Sequence, residues 1–199
     1  MGSDKGLLIA PDKNSPQTWT ARAGEILNSV GLISKIFYSV NSKQEVHYQN
    51  THKDIIELSS FIVDSNEIFC QGPLRGIFSA HKKLPTKDWL VLAVDMINMR
   101  PEILAQLFTK YKEFGSNYDV YCYRTQEDQP RIQPLAAIYS ASFLKKIYAE
   151  NVAQLNESNF KQRGPTCYIE HANAYYIDFD RGVHDSFRNV NSLEDLDGF

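Results

Sequence analysis

The sequence predicts an α/β three-layer sandwich on a mostly parallel, Rossmann-like sheet. Three observations carry that expectation. Short β-rich runs alternate with stretches of helical spacing along the chain. One run, WLVLAVD (Trp89 to Asp95), is apolar almost without a break, as a strand covered by helices on both faces must be. The short strands also end on polar residues (Ser39 and Asn41, then Asp64, then Asp95), so their carboxyl ends would converge on one crevice, where such folds hold ligands.

The elements follow in order. Behind the turn-rich stretch Pro11 to Pro16, the run TWTARAGEILNSVG repeats Trp19, Ala23, Ile26, Leu27 and Val30 at helical spacing and stops at Gly31. KIFYSVN (Lys35 to Asn41) and FIVD (Phe61 to Asp64) read as short strands, and the polar segment between them, through about Ser60, is helical in part. GPLRGIFSAHKKL opens with Gly72 and Pro73 and takes up helix spacing, a loop feeding a helix. RPEILAQLFTKYKEFG sets Pro101 near a helix start and Gly115 just past its end. YDVYCYR and RIQPLAAIY predict two more strands, SFLKKIYAEN a helix and YYIDFD a last strand. NSLEDL reads as a closing short helix with an Asn/Ser cap.

Composition bounds the function. The 199 residues suit one domain spanning 1–199, and 43% apolar with 23% charged residues is ordinary for a soluble globular protein. A net charge of -3 offers no electrostatic argument for nucleic acid or an acidic membrane. No run approaches the roughly eighteen uninterrupted apolar residues of a membrane span, and no basic-then-apolar signal pattern opens the chain. Cys70, Cys122 and Cys167 form an odd, widely spaced set, read as reduced thiols of a cytoplasmic protein. His47, His52, His81, His171 and His184 show no metal spacing and are read as structural.

Asp95 is the strongest single candidate. It ends a strand expected to be buried, and an uncompensated charge there is costly. The next helix begins near Pro101, too far for Asp95 to cap it, so a divalent metal shared with a phosphate fits its position. Lys5, after Gly2, Ser3 and Asp4, is either a solvated terminal lysine or a point charge for phosphate. Gly72 to Gly76 ahead of a helix would let backbone approach a base or phosphate, although Gly-Pro also serves as plain turn punctuation. Asn189 and Asn191 flank Val190 at a spacing of two, which puts both amides on one side if the chain is extended; a cap for the last helix explains Asn191 equally well.

Taken in order, MGSDKGLL (Met1 to Leu8), SVN (Ser39 to Asn41), VDS at Asp64, GPLRG (Gly72 to Gly76), LAVDM at Asp95, QPLAAIY (Gln133 to Tyr139) and NVNSLEDL (Asn189 to Leu196) resemble the molybdenum cofactor guanylyltransferase family, MobA-like members of the wider nucleotidyltransferase superfamily. The resemblance runs over nearly the whole chain. It implies the sheet of the nucleotide-diphospho-sugar transferases and transfer of GMP from GTP to molybdopterin with release of pyrophosphate. Such chemistry rests on alignment and charge neutralisation rather than a protein nucleophile. Carried over residue by residue, it gives Asp95 the Mg2+ and Lys5 the triphosphate charge as the catalytic pair. It sets Ser39, Asn41, Asp64 and Gly72 against the guanine nucleoside and Asn189 and Asn191 toward the pterin. Contact with molybdenum cofactor carriers or molybdoenzymes would follow from such a role.

The family pattern begins with a strand and a loop, LAGGxSxRMGxDKxLL, and MGSDKGLL matches only its tail. The chain is therefore expected to lack the first strand and its glycine-rich loop, with neighbouring strands left unpaired or rearranged and catalysis weak. Ile97 also stands where the family often carries proline. Two other classes remain open on sequence: a nucleotide- or pterin-binding homologue without catalysis, and a nucleotidyltransferase for another acceptor, such as a cytidylyl form or one acting on a sugar phosphate.

Overall fold

Alternation along the strands sets the layers. In a computed structural model, which describes residues 4–9, 17–31, 35–51, 61–154, 163–179 and 181–190, four strands form one sheet in the order β3-β5-β4-β6. These are β3 (Trp89–Leu92), β4 (Val120–Thr125), β5 (Ile132–Tyr139) and β6 (Ala174–Phe179). Successive side chains of a strand point to opposite faces. Thus Val120 and Cys122 of β4 and Ala137 and Tyr139 of β5 join one core, with α3 (Pro73–Lys83), α5 (Ala141–Gln154) and α6 (Pro165–Ile169) packed over it. Tyr121, Tyr123, Ala136 and Ile138 face the other way, against α1 (Trp19–Ser29) and α4 (Pro101–Phe114). Helices thus cover both faces, giving the expected three layers.

The strands β3, β4 and β6 run in one direction, and β5 opposes both of its neighbours. The sheet is therefore parallel apart from β5. WLVLAVD forms a shorter strand than its apolar run suggests, ending at Leu92. Ala93 N still donates to Leu135 O at 2.8 Å. The register would next set Val94 opposite Pro134, a pair of the kind that exchanges no ladder hydrogen bonds. The chain turns there instead, with Met96 N on Ala93 O.

Two further strands, β1 (Tyr38–Val40) and β2 (Phe61–Val63), pair in parallel as a separate sheet. Between them in sequence runs α2 (Ser42–Thr51), whose Tyr48 packs with Val40 and Phe61. Among the described residues no pairing joins β1 to β3, although both strands line one cavity of about 430 Å³. Ala23 and Leu27 of α1 and Ile77 and Ala80 of α3 also line it. The four residues of β3 are accordingly only half-buried, in contrast to the fully enclosed strand their composition suggests. The closing helix read in NSLEDL and the segment 52–60 lie outside the described residues. No helix among the described residues is long and apolar enough to cross a membrane.

Unequal support predicts unequal protection. Amides of β4 and β5, each paired on both sides, are expected to exchange with deuterium the most slowly. Those of the three-residue pair β1–β2 are expected to exchange orders of magnitude faster, since two short strands alone are marginal in water. Residue-resolved exchange showing equal protection in both sheets would refute this.

Candidate active site

The amino-terminal turn brings the first cation into place. Lys5–Leu7 forms a single 3-10 turn, capped by Asp4, whose Oδ1 accepts from Gly6 N at 3.0 Å. Thr20 Oγ1 at the start of α1 donates to Gly6 O at 2.8 Å and meets the Tyr48 hydroxyl at 2.9 Å. Burial is the main cause that pushes the Tyr48 phenol up to about 12, so it stays protonated. Trp19 N donates to Leu8 O, which fixes the exit of the turn against α1. Held in this way, Lys5 Nζ reaches Asp95 Oδ2 at 3.0 Å, with side chains 27% and 18% exposed. A pair of this exposure contributes no more than about 1 kcal/mol to the fold. Its importance is that it fixes a cation and an anion at one point.

Asp95 is anchored through its backbone as well. Its carbonyl accepts from Val190 N at 3.0 Å. Beneath it, Trp19, Ile97 and Val190 form a small buried cluster with Leu8 and Val94. Ile97 fills this cluster at the position where the resemblance expects proline, and its carbonyl accepts from Arg22 Nε at 2.6 Å. The strand end, the amino-terminal turn, α1 and the carboxyl-terminal segment meet here.

A second polar group closes the other edge of the cavity. Ser39 Oγ donates to Asp64 Oδ1 at 2.8 Å, and Asp64 N donates to Val40 O at 2.8 Å. Burial raises the Asp64 carboxyl above its ordinary range, opposed by the Ser39 hydrogen bond and the Arg75 charge. A Cβ on Gly76 would overlap Ser39 Oγ, so only glycine lets α3 approach this closely. Gly72, at the start of α3, has φ +64° and nothing within 4 Å of its Cβ position, leaving its backbone open to a ligand.

Asp4, Ser39, Asp64, Gly72 and Asp95 all line the cavity. The structure thus gathers Ser39, Asp64, Gly72 and Asp95, with Lys5 bonded to Asp95. Asn41 is placed differently: its Oδ1 accepts from Lys43 N at 3.0 Å and Gln44 N at 2.9 Å, capping α2, and it does not line the cavity. Asn189 is exposed beside Val190, one residue from the backbone contact to Asp95, and Asn191 lies outside the described residues. Asp4 is the residue sequence reasoning passed over. Its Oδ2 is buried without a hydrogen-bond partner, although it lines the cavity. The signal was its place directly before Lys5.

Residues 1–163 match the sequence profile of the MobA-like NTP transferase domain. Over 137 residues (68% of this chain and 64% of the relative) the chain is 33% identical to a "Probable molybdenum cofactor guanylyltransferase" from Geobacillus sp. (strain WCH70). It therefore spans less than two thirds of that relative's length. A protein of the same name from Methanothermobacter thermautotrophicus is 28% identical over 98% of this chain and 90% of its own length. Among solved structures, molybdopterin-guanine dinucleotide biosynthesis protein A from Archaeoglobus fulgidus superposes with a TM-score of 0.66 at 20% identity, over 98% of this chain and 88% of its own. A 4-diphosphocytidyl-2C-methyl-D-erythritol synthase from Anaerococcus prevotii gives a TM-score of 0.66 at 12% identity, over 90% of this chain and 83% of its own. These two share the fold of the nucleotide-diphospho-sugar transferases. With the profile covering most of its length, this chain belongs to the MobA-like NTP transferase family.

Proposed function

We propose that the protein transfers GMP from GTP to molybdopterin, forming the guanine dinucleotide and releasing pyrophosphate. The observation that supports this reading best is Asp95, set after β3 at the cavity within 3.0 Å of Lys5 Nζ. The relatives' names supply the substrates; the residues supply a way to handle them.

Charge decides the need for a metal. Three carboxylates (Asp4, Asp64 and Asp95) line the cavity, and Lys5 is bonded to one of them. A polyanionic triphosphate would be repelled there without a divalent cation. The donors fit Mg2+: hard carboxylate oxygens, one of them the buried, unpartnered Asp4 Oδ2. Asp95 would hold the ion, with Asp4 within the same cavity. When bound, Mg2+ supplies neutralisation of the phosphate charge and polarisation at the α-phosphorus.

The chain's own residues do the rest. Lys5, fixed by the Thr20-braced turn, lies beside Asp95 to stabilise the charge that builds on the departing pyrophosphate. A terminal phosphate oxygen of molybdopterin attacks the α-phosphorus as the bond to the β-phosphate bridging oxygen breaks. Asp64 and Ser39, with the open backbone at Gly72, orient the guanine nucleoside. Asn189, beside the Val190 that bonds to Asp95, would contact the pterin, and the family pattern gives Asn191 the same role. Asn41 would contribute through the α2 cap that shapes the edge by Ser39.

Two results test the reading. Asp95→Asn is expected to lower Mg2+-dependent pyrophosphate release by about a hundredfold or more, and Lys5→Ala to weaken GTP binding measured calorimetrically with Mg2+. Full turnover in Asp95→Asn would remove the metal role, and tighter binding of CTP than GTP would reject the guanine assignment.

Asp64 offers a stability test of opposite sign. Its raised carboxyl means that the folded state keeps the proton to higher pH than the unfolded chain does. Its contribution is therefore favourable at low pH and is lost as pH rises from the ordinary aspartate value through the raised one. Asp64→Asn, which keeps the acceptor for Ser39, is expected to raise the melting temperature at pH 7 and to weaken nucleotide binding. Unchanged melting across that pH window would show that the buried charge costs nothing.

A further inference from the structure

A group of donors lies apart from the cavity. Cys167 in α6, with Glu170 and His171 just past its end, each offer one ligand atom, and these atoms all lie within 4.8 Å of one another. None of the three lines the cavity between β1 and β3. The spacing explains the grouping: residues three and four apart share one side of a helical turn. Glu170 N on Thr166 O and His171 N on Tyr168 O carry the turn past the helix. Tyr168 and Ile169, buried in the core against β5, anchor the element.

His171 is oriented by this turn. Its Nδ1 lies 2.8 Å from Cys167 O. A carbonyl can only accept, so Nδ1 carries the proton and Nε2 presents its lone pair. Imidazoles that bind metals are commonly oriented by such a bond to a backbone carbonyl. Cys167 is half-exposed and the other two donors are exposed, so an ion could reach them from solvent. Reading every histidine as lacking metal spacing overlooked this set, because Cys-x-x-Glu-His joins a thiol to a histidine across one helical turn.

We infer that Cys167, Glu170 and His171 form a binding site for a borderline-soft divalent cation of the zinc class. A thiolate, an imidazole and a carboxylate are ligands that zinc accepts, with water completing four-coordination. Binding replaces the Cys167 thiol proton, which passes to solvent; no oxidant or reductant is involved. The bound ion would clamp the turn between α6 and β6 and stabilise the fold by mass action.

The test uses the full chain with Co2+ and Zn2+ as probes. One equivalent of Co2+ is expected to produce a thiolate-to-cobalt charge-transfer band that Zn2+ abolishes. Cys167→Ser should eliminate the band, and His171→Ala and Glu170→Gln should each weaken Zn2+ affinity by at least about tenfold in calorimetry. Circular dichroism of each variant shows whether it remains folded. Cys70 and Cys122 are buried, with their thiols pushed up to about 11 and about 12, mainly by burial, and provide an internal control. Absence of a band in the unaltered protein overturns the inference, as does a band that survives Cys167→Ser. These outcomes are independent of GTP turnover.

Discussion

Asp95 joins segments from both ends of the chain. Its carboxylate takes Lys5 from the amino-terminal turn, and its carbonyl takes Val190 N from the carboxyl-terminal segment. Neither contact is strong alone. Both contacts lie at the small apolar cluster of Trp19, Ile97 and Val190, which Leu8 and Val94 pack against. The backbone bond from Val190 thus ties the carboxyl-terminal segment to the residue proposed to hold the metal.

Much of the architecture was legible because periodicity is local. The alternation in YDVYCYR sends Tyr121 and Tyr123 to one face and Val120 and Cys122 to the other, and RIQPLAAIY divides Ala136 and Ile138 from Ala137 and Tyr139 in the same way. The limit of WLVLAVD was harder to see. Its end lies at the turn that Met96 N closes on Ala93 O, which the apolar composition of the run does not mark. Composition also suggested complete enclosure of this strand, whereas its burial depends on what lies alongside.

The same division applies at the site. Asp64, Asp95 and Ser39 stand out as polar residues at or near strand ends, and all three line the cavity. The capping role of Asn41 could be read from the helix that follows it, since Gln44 sits at the reciprocal position and its Oε1 accepts from Asn41 N at 2.9 Å. The orphaned oxygen of Asp4 and the bracing of the first turn by Thr20 and Tyr48 could not be read in this way. They arise from contacts between segments whose separation the sequence does not encode.

The chain's two tryptophans both stand close to Asp95 or its cavity: Trp19 buried in the cluster with Ile97 and Val190, and Trp89 on the cavity wall. Emission excited selectively from the tryptophans, to the red of the absorption of the 11 tyrosines, is therefore a local optical signal rather than an average over the molecule. Occupancy of the cleft can be followed through these native chromophores, without an attached dye that would crowd the space under study.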